Sequence, residues 1–140
     1  MNSDLEDRLR ETGVTFSALS KTEKVKLLAR WTQEFPQLLA SARHGQNSHN
    51  VARDKAADDQ FDMLVTDKFF VLPDDASGMS SYRCQAAALP DLRELVSDTI
   101  TRCDELIIVA TDFGWSAVLL NHGSPQMDGR HFQVRSDQSS

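Results

Sequence analysis

The stretch that decides the fold runs from Leu106 to Leu120 and reads LIIVATDFGWSAVLL. Its first part, Leu106–Ala110, is a short continuous apolar run, which is typical of a strand that is covered on both faces near the centre of a sheet. Residues 111–114 have the composition of a tight turn, and the chain then returns through Trp115–Leu120. The pattern therefore predicts a central β-hairpin.

Further strands and a helix are predicted upstream of this hairpin. An aromatic and β-branched run within Phe61–Leu72 predicts one long or two short strands, and it closes at a turn cluster that begins at Pro73. A second strand is expected within Met79–Gln85. Pro90 is then suited to the first turn of a helix, because its missing N–H is not needed there. Apolar residues recur at helical spacing over residues 89–103, which predicts a central amphipathic helix.

The N-terminal part of the chain predicts helices. Residues 3–6 and residues 20–23 both have the Ser-x-x-Glu spacing of a capping box, in which the two side chains satisfy the first free N–H groups of a helix. Gly13 offers a stop to the first helix. The second carries an apolar stripe at helical intervals, and Pro36 should end or kink it.

Two segments carry no strong pattern. Residues 41–60 contain Val51 as their only large apolar side chain, so we expect a flexible connection there. Residues 123–140 are rich in Gly, Pro, Ser and Asp, which predicts a loose C-terminal tail with a short edge strand at His131–Val134.

These elements together predict a single α+β domain over residues 1–140. The N-terminal helices and the 89–103 helix are expected to cover an antiparallel or mixed sheet of about four or five strands. A chain of 140 residues is long enough to bury one continuous core.

The net charge of −6 is unevenly distributed along the chain. Residues 1–60 hold nine basic and nine acidic side chains, whereas residues 61–140 hold six basic and twelve acidic ones. Such an acidic surface repels phosphate backbones and attracts basic partners, so we expect a protein partner and no nucleic acid.

Features that are missing from the sequence restrict the cellular location and the chemistry that we expect for the protein. The N-terminus has no apolar leader, no apolar run reaches membrane-spanning length, and Cys84 and Cys103 are too few for a disulfide framework. We therefore expect a soluble, cytoplasmic protein that binds no membrane. The histidines follow no zinc-site spacing, so we expect no metal and no cofactor.

The acidic surface can be assigned to particular residues. Asp91, Glu94 and Asp98 stand at positions i, i+3 and i+7 of the predicted helix, so the three carboxylates share one side of it. Asp74 and Asp75 add a charged loop before the preceding strand. We expect these five residues to contact a basic protein partner.

The evidence for an enzyme is weaker. A P-loop, a GxGxxG fingerprint, a GxSxG elbow and an HExxH motif are all missing from the sequence, and the kinase-like triplet at residues 112–114 lacks the other kinase motifs. No catalytic residue is assigned. The alternative enzyme hypothesis is a pocket near Asp112, Trp115 and His122, in which a carboxylate and an imidazole would supply acid–base chemistry.

From Phe69 to His122 the features follow the order FFVLPDD, MSSYRC, an amphipathic helix, DELIIVATD and GWSAVLLNH. This order resembles that of small uncharacterised bacterial proteins, some of which resemble immunity proteins of toxin systems, over about the C-terminal three-fifths of the chain. The resemblance implies a non-enzymatic, protein-binding inhibitor that masks a basic toxin or nuclease through the acidic surface, and it identifies no individual functional residue. A regulatory adaptor subunit that uses residues 41–60 is a further alternative.

Overall fold

The computed structural model describes residues 3–11, 13–46, 50–63, 68–74, 80–86, 104–120 and 129–135. The helices in these ranges are α1 (Ser3–Glu11), α2 (Lys21–Glu34), α3 (Pro36–His44) and α4 (Lys55–Asp62). The strands are β1 (Val14–Ala18), β2 (Ala52–Arg53), β3 (Lys68–Pro73), β4 (Tyr82–Ala86), β5 (Glu105–Ala110), β6 (Trp115–Leu120) and β7 (Gly129–Val134). None of these described helices is long and apolar enough to cross a membrane.

The described strands form one seven-stranded sheet in the order β1-β4-β3-β5-β6-β7-β2. Every neighbouring pair is antiparallel. β5 is the middle strand, and its residues from Leu106 to Ala110 are all buried. β5 continues through the turn at residues 111–114 into β6, with Val109 opposite Ser116. The central hairpin predicted from the apolar run is therefore confirmed.

α2 and α3 pack on one face of the sheet. The predicted capping box at the start of α2 is confirmed, because the Ser20 hydroxyl accepts a hydrogen bond from the Glu23 N–H and the Glu23 carboxylate accepts one from the Ser20 N–H. α2 ends at Glu34, and Pro36 begins α3, as the missing proline N–H requires. The buried residues on this face include Trp31, Phe35, Leu38, Phe70, Ile107, Val109, Phe113, Val118 and Leu120.

α1 and α4 lie on the opposite face, near the two outer edges of the sheet. α1 contacts β1, and α4 contacts β2 and β7. The Phe61 ring of α4 meets Trp115 edge to face, with ring centroids 5.7 Å apart. At the other edge, the Tyr82 hydroxyl donates to the Glu6 carboxylate at 2.7 Å. The burial of these aromatic groups fixes each helix on its edge of the sheet.

The α+β class is confirmed, but the sheet has seven described strands where about four or five were expected. β1 and β2 were not predicted, because one is a half-exposed five-residue strand and the other has only two residues. Phe61 belongs to α4 and not to a strand, and β3 begins at Lys68. The expected helix over residues 89–103 lies outside the described residues.

The two segments without a strong pattern contain regular structure. Residues 41–60, where we expected a flexible connection, include the end of α3, β2 and most of α4. Residues 123–140, where we expected a loose tail, include β7. β7 pairs with both β6 and β2, so it is not an edge strand of the described sheet. Buried Val51 and Ala57 explain the order in the first segment, although the sequence offers few other apolar anchors there.

Candidate functional site

On the face that α2 and α3 cover, part of the sheet remains exposed at β1 and β4. Thr15 and Ser17 of β1 are exposed, and so are Arg83 and Gln85 of β4. The register places Thr15 opposite Gln85 and Ser17 opposite Arg83. Lys68, at the start of β3, lies opposite Gln85 on the other side of β4 from Thr15, so Thr15, Gln85 and Lys68 form one row across the three strands. Successive strand side chains alternate between faces, so these five polar residues share one face.

A groove of about 420 Å³ runs across this exposed face. The side chains of Phe16 and Cys84 belong to the core on the opposite face, so these two residues contribute main-chain atoms to it. The described residues of the lining are Thr15, Phe16, Ser17, Lys68, Arg83, Cys84, Gln85 and Thr111. The groove is therefore a polar surface whose floor is the sheet backbone.

The groove is electropositive although the chain is acidic overall. Among the described residues, its lining contains two cations, Lys68 and Arg83, and no carboxylate. The Arg83 guanidinium lies 5.2 Å from the centroid of the Phe70 ring, which belongs to the buried core. The pKa of nearby Glu23 is lowered, chiefly by hydrogen bonds from the Ser20 backbone and side chain, and to a smaller extent by the charge of Arg83. The two lining cations favour an anionic group, although Glu23 already offsets part of the Arg83 charge.

β1 forms one edge of the described sheet, next to the groove. The Leu19 N–H donates to the Ser81 carbonyl at 2.9 Å, and this pair continues the β1–β4 register. Because hydrogen-bonded pairs alternate along an antiparallel ladder, the main-chain groups of Phe16 and Ala18 point away from β4. Ala18 is exposed and Phe16 is half-buried, and none of the described strands pairs with β1 on this side.

Of the five residues of the expected acidic surface, the structure describes Asp74. Asp74 accepts hydrogen bonds from the N–H groups of Asp104 and Glu105, both at 3.1 Å, so its carboxylate stabilises the main chain at the start of β5. Glu105 in turn accepts two bonds from the Arg43 guanidinium, at 3.0 and 3.3 Å. The other four acidic residues, Asp75, Asp91, Glu94 and Asp98, lie outside the described residues.

The structure describes two of the three residues of the alternative enzyme pocket, Asp112 and Trp115. Asp112 is exposed in the β5–β6 turn, where its carboxylate accepts the Gly114 N–H at 2.9 Å. Trp115 is buried in the core and stacks on Phe132, with ring centroids 6.0 Å apart. His122 lies outside the described residues. Asp112 acts as a turn residue here, and the Trp115 ring acts as a core residue.

A row of buried polar side chains joins α2 and α3 to the sheet. The Trp31 indole N–H donates to the Ser116 hydroxyl at 2.9 Å, and that hydroxyl donates to the Ile108 carbonyl at 2.8 Å. Ser41 and His131 share a hydrogen bond of 2.8 Å between Oγ and Nδ1. A serine–imidazole pair can act in nucleophilic catalysis, but these two side chains are 1 % and 0 % exposed. A substrate cannot reach them, so the pair is structural.

The described residues offer little other chemistry. No group of three or more metal-ligating side chains occurs among them. Cys84 is buried, and desolvation raises its thiol pKa to about 12. A thiol that stays protonated is a poor nucleophile, so Cys84 is a core residue.

No known protein family, curated protein or solved structure matches this chain. Function must therefore be inferred from the surface. Lys68 and Arg83 were not predicted as site residues, because no sequence motif connects them. The available signal was the alternation of apolar and polar residues in VTFS at residues 14–17 and in YRCQ at residues 82–85, which marks two strands with one solvated face.

Proposed function

We propose that this chain is a non-enzymatic protein-binding protein and that its partner docks at β1 and the adjacent groove. The observation that carries the proposal is the position of β1 at an edge of the described sheet, beside a groove whose described lining has two cations and no carboxylate. This combination offers main-chain hydrogen bonds and charge selection at one place.

The composition of β1 supports this proposal. Edge strands are usually protected from unwanted pairing by charged residues, proline or a bulge. β1 reads VTFSA and has none of these residue types, and its pairing with β4 is continuous from Val14 to Ala18. An edge without such protection is suited to pairing with a partner.

The absence of a catalytic set in the described part of the chain also supports a binding role. The Ser41–His131 pair is buried, and the Asp74 and Asp112 carboxylates accept hydrogen bonds from neighbouring main-chain N–H groups. These groups stabilise the fold, and none of them lines the groove.

The competing proposal is the immunity-like inhibitor that binds a basic toxin or nuclease through the acidic surface. The acidic excess of residues 61–140 favours it. Reversing Asp91, Glu94 and Asp98 to Lys should then slow association with the target, and raising the salt concentration should slow association of the unmodified protein. Loss of capture in this variant, with capture retained by a groove variant, would assign binding to the acidic surface.

Affinity capture from the cells that make the protein tests the groove proposal, when the unmodified chain is compared with Arg83→Glu. The matched control is Lys55→Glu, which makes the same charge change on α4, where the Lys55 side chain is 89 % exposed and its ion pair with Asp59 contributes little. The proposal predicts that a stoichiometric partner is retained by the control and lost by Arg83→Glu. Equal capture by both variants contradicts it.

A further inference from the structure

We propose that the partner presents an extended acidic segment, which pairs with β1 as an additional strand and places its carboxylates over the groove. This inference rests on the proposed function and identifies the chemistry of the segment that is bound. It combines the main-chain groups of β1 with the charge of the groove beside it.

The main chain of β1 supplies the first part of the recognition. The N–H and C=O groups of Phe16 and Ala18 point outward from the sheet, as the alternation of the β1–β4 ladder requires. A bound strand of about five residues would span the five residues of β1. It would exchange hydrogen bonds with Phe16 and Ala18, whose outward main-chain groups pair with none of the described strands.

The side chains that separate β1 from the cations are small. Thr15 and Ser17 stand on the groove face of β1, and Arg83 lies opposite Ser17 on the next strand. An added strand would lie about 4.8 Å from β1 and about 10 Å from β4. The Arg83 guanidinium lies beside the Phe70 ring of β3, on the side of β4 away from β1, so it would have to turn toward β1 to meet a Glu side chain that extends across Ser17. Lys68, one strand further, adds positive charge without a direct contact.

Other occupants fit these observations less well. A second copy of the chain would bring two molecules of net charge −6 together, and each would present an uncharged β1 to the other. A nucleic acid needs several phosphate contacts for useful affinity, whereas the groove lining offers two cations on an acidic chain. An acidic peptide strand uses both the edge and the two cations.

Fluorescence polarisation with defined peptides tests this inference. The probe is a labelled peptide of about nine residues that alternates Glu with Val, because alternation places every Glu on one face of an extended strand. The comparison peptides carry Lys in place of Glu, or carry N-methyl groups at alternate main-chain nitrogens. We expect the acidic peptide to bind, and we expect each comparison peptide to bind at least about tenfold more weakly.

Two protein variants separate the two parts of the recognition. Ala18→Pro removes an outward N–H, and Ala18→Thr is its control because Thr keeps that donor and suits a strand. Arg83→Glu removes the cation, with Lys55→Glu as its control. We expect Ala18→Pro and Arg83→Glu each to weaken binding of the acidic peptide by about tenfold or more, and the controls to keep it. Circular dichroism and thermal unfolding establish that each variant is folded.

Specific outcomes would overturn the inference. Strand addition is wrong if binding of the acidic peptide is unchanged both by N-methylation and by Ala18→Pro. A dimer in light scattering that Ala18→Pro dissociates would make a second copy of the chain the occupant. Tighter binding of a single-stranded oligonucleotide than of the peptide would make a nucleic acid the occupant. The N-methylated peptide keeps the test decisive if Ala18→Pro fails to fold. Capture of the cellular partner that is lost in Arg83→Glu but kept in Ala18→Pro would reject strand addition alone. Capture kept in both would reject the proposed function as well.

Discussion

Replacing Gly129 with alanine should destabilise the corner at which β2 and α4 meet β7. Gly129 has a φ of +123°, and a Cβ atom there would lie well inside van der Waals contact with Oδ1 of Asp54. That carboxylate accepts the Arg130 N–H at 3.3 Å, while Asp58 binds the Arg130 guanidinium through two bonds of 2.6 and 2.8 Å. The backbone conformation costs about 1–3 kcal/mol for alanine, and displacement of Asp54 costs about 1 kcal/mol more.

Urea unfolding followed by tryptophan fluorescence measures this loss, which we expect to be about 2–4 kcal/mol in the free energy of unfolding. Gly13→Ala is the matched control, because Gly13 has a φ of +78° and open space around the added Cβ, so only the backbone cost of about 1–2 kcal/mol applies. Adding Asp54→Ala to Gly129→Ala should cost less than Asp54→Ala costs alone, because the displaced carboxylate has already lost its bond to the Arg130 N–H. A Gly129→Ala protein as stable as Gly13→Ala would refute the reasoning.

Two further predictions concern the core. Trp31→Phe should lower the free energy of unfolding by about 1–3 kcal/mol more than Trp115→Phe does. The reason is that the Trp31 indole N–H donates to Ser116, whereas the buried Trp115 indole N–H has no acceptor among the described residues. Equal losses for the two variants in urea unfolding would contradict this prediction. Burial raises the pKa of the Cys84 thiol from 9.0 to about 12, so folding holds the proton more tightly and stability should fall as the pH rises from 9 towards 12. Cys84→Ala should make that fall less steep in unfolding measured across this range, and an unchanged slope would contradict the assignment.

Sequence reasoning located the elements whose signals are local. The apolar run at Leu106–Ala110 fixed the middle strand, because such a run has no polar face to present to water. The Ser20–Glu23 capping box and Pro36 fixed the limits of α2, since both act through main-chain groups within one helical turn. These predictions needed no knowledge of distant residues.

The parts that were missed depend on contacts between distant residues. β1 is stabilised by pairing with β4, and β2 by pairing with β7, and neither strand has a long apolar pattern of its own. α4 is amphipathic only through Ala57 and Phe61, which pack on the sheet. The groove could not be predicted either, because Lys68 and Arg83 are brought together by the register of β3 and β4 and not by spacing in the sequence.

Amide hydrogen exchange at Phe16 and Ala18 is the most direct measurement of partner binding at β1. It should be recorded on the protein alone and on its complex with the partner captured from cells. In the free protein these outward N–H groups should exchange rapidly, because they pair with none of the described strands. The account predicts strong slowing at both residues in the complex. Unchanged exchange along β1, with new protection confined to another surface, would contradict it.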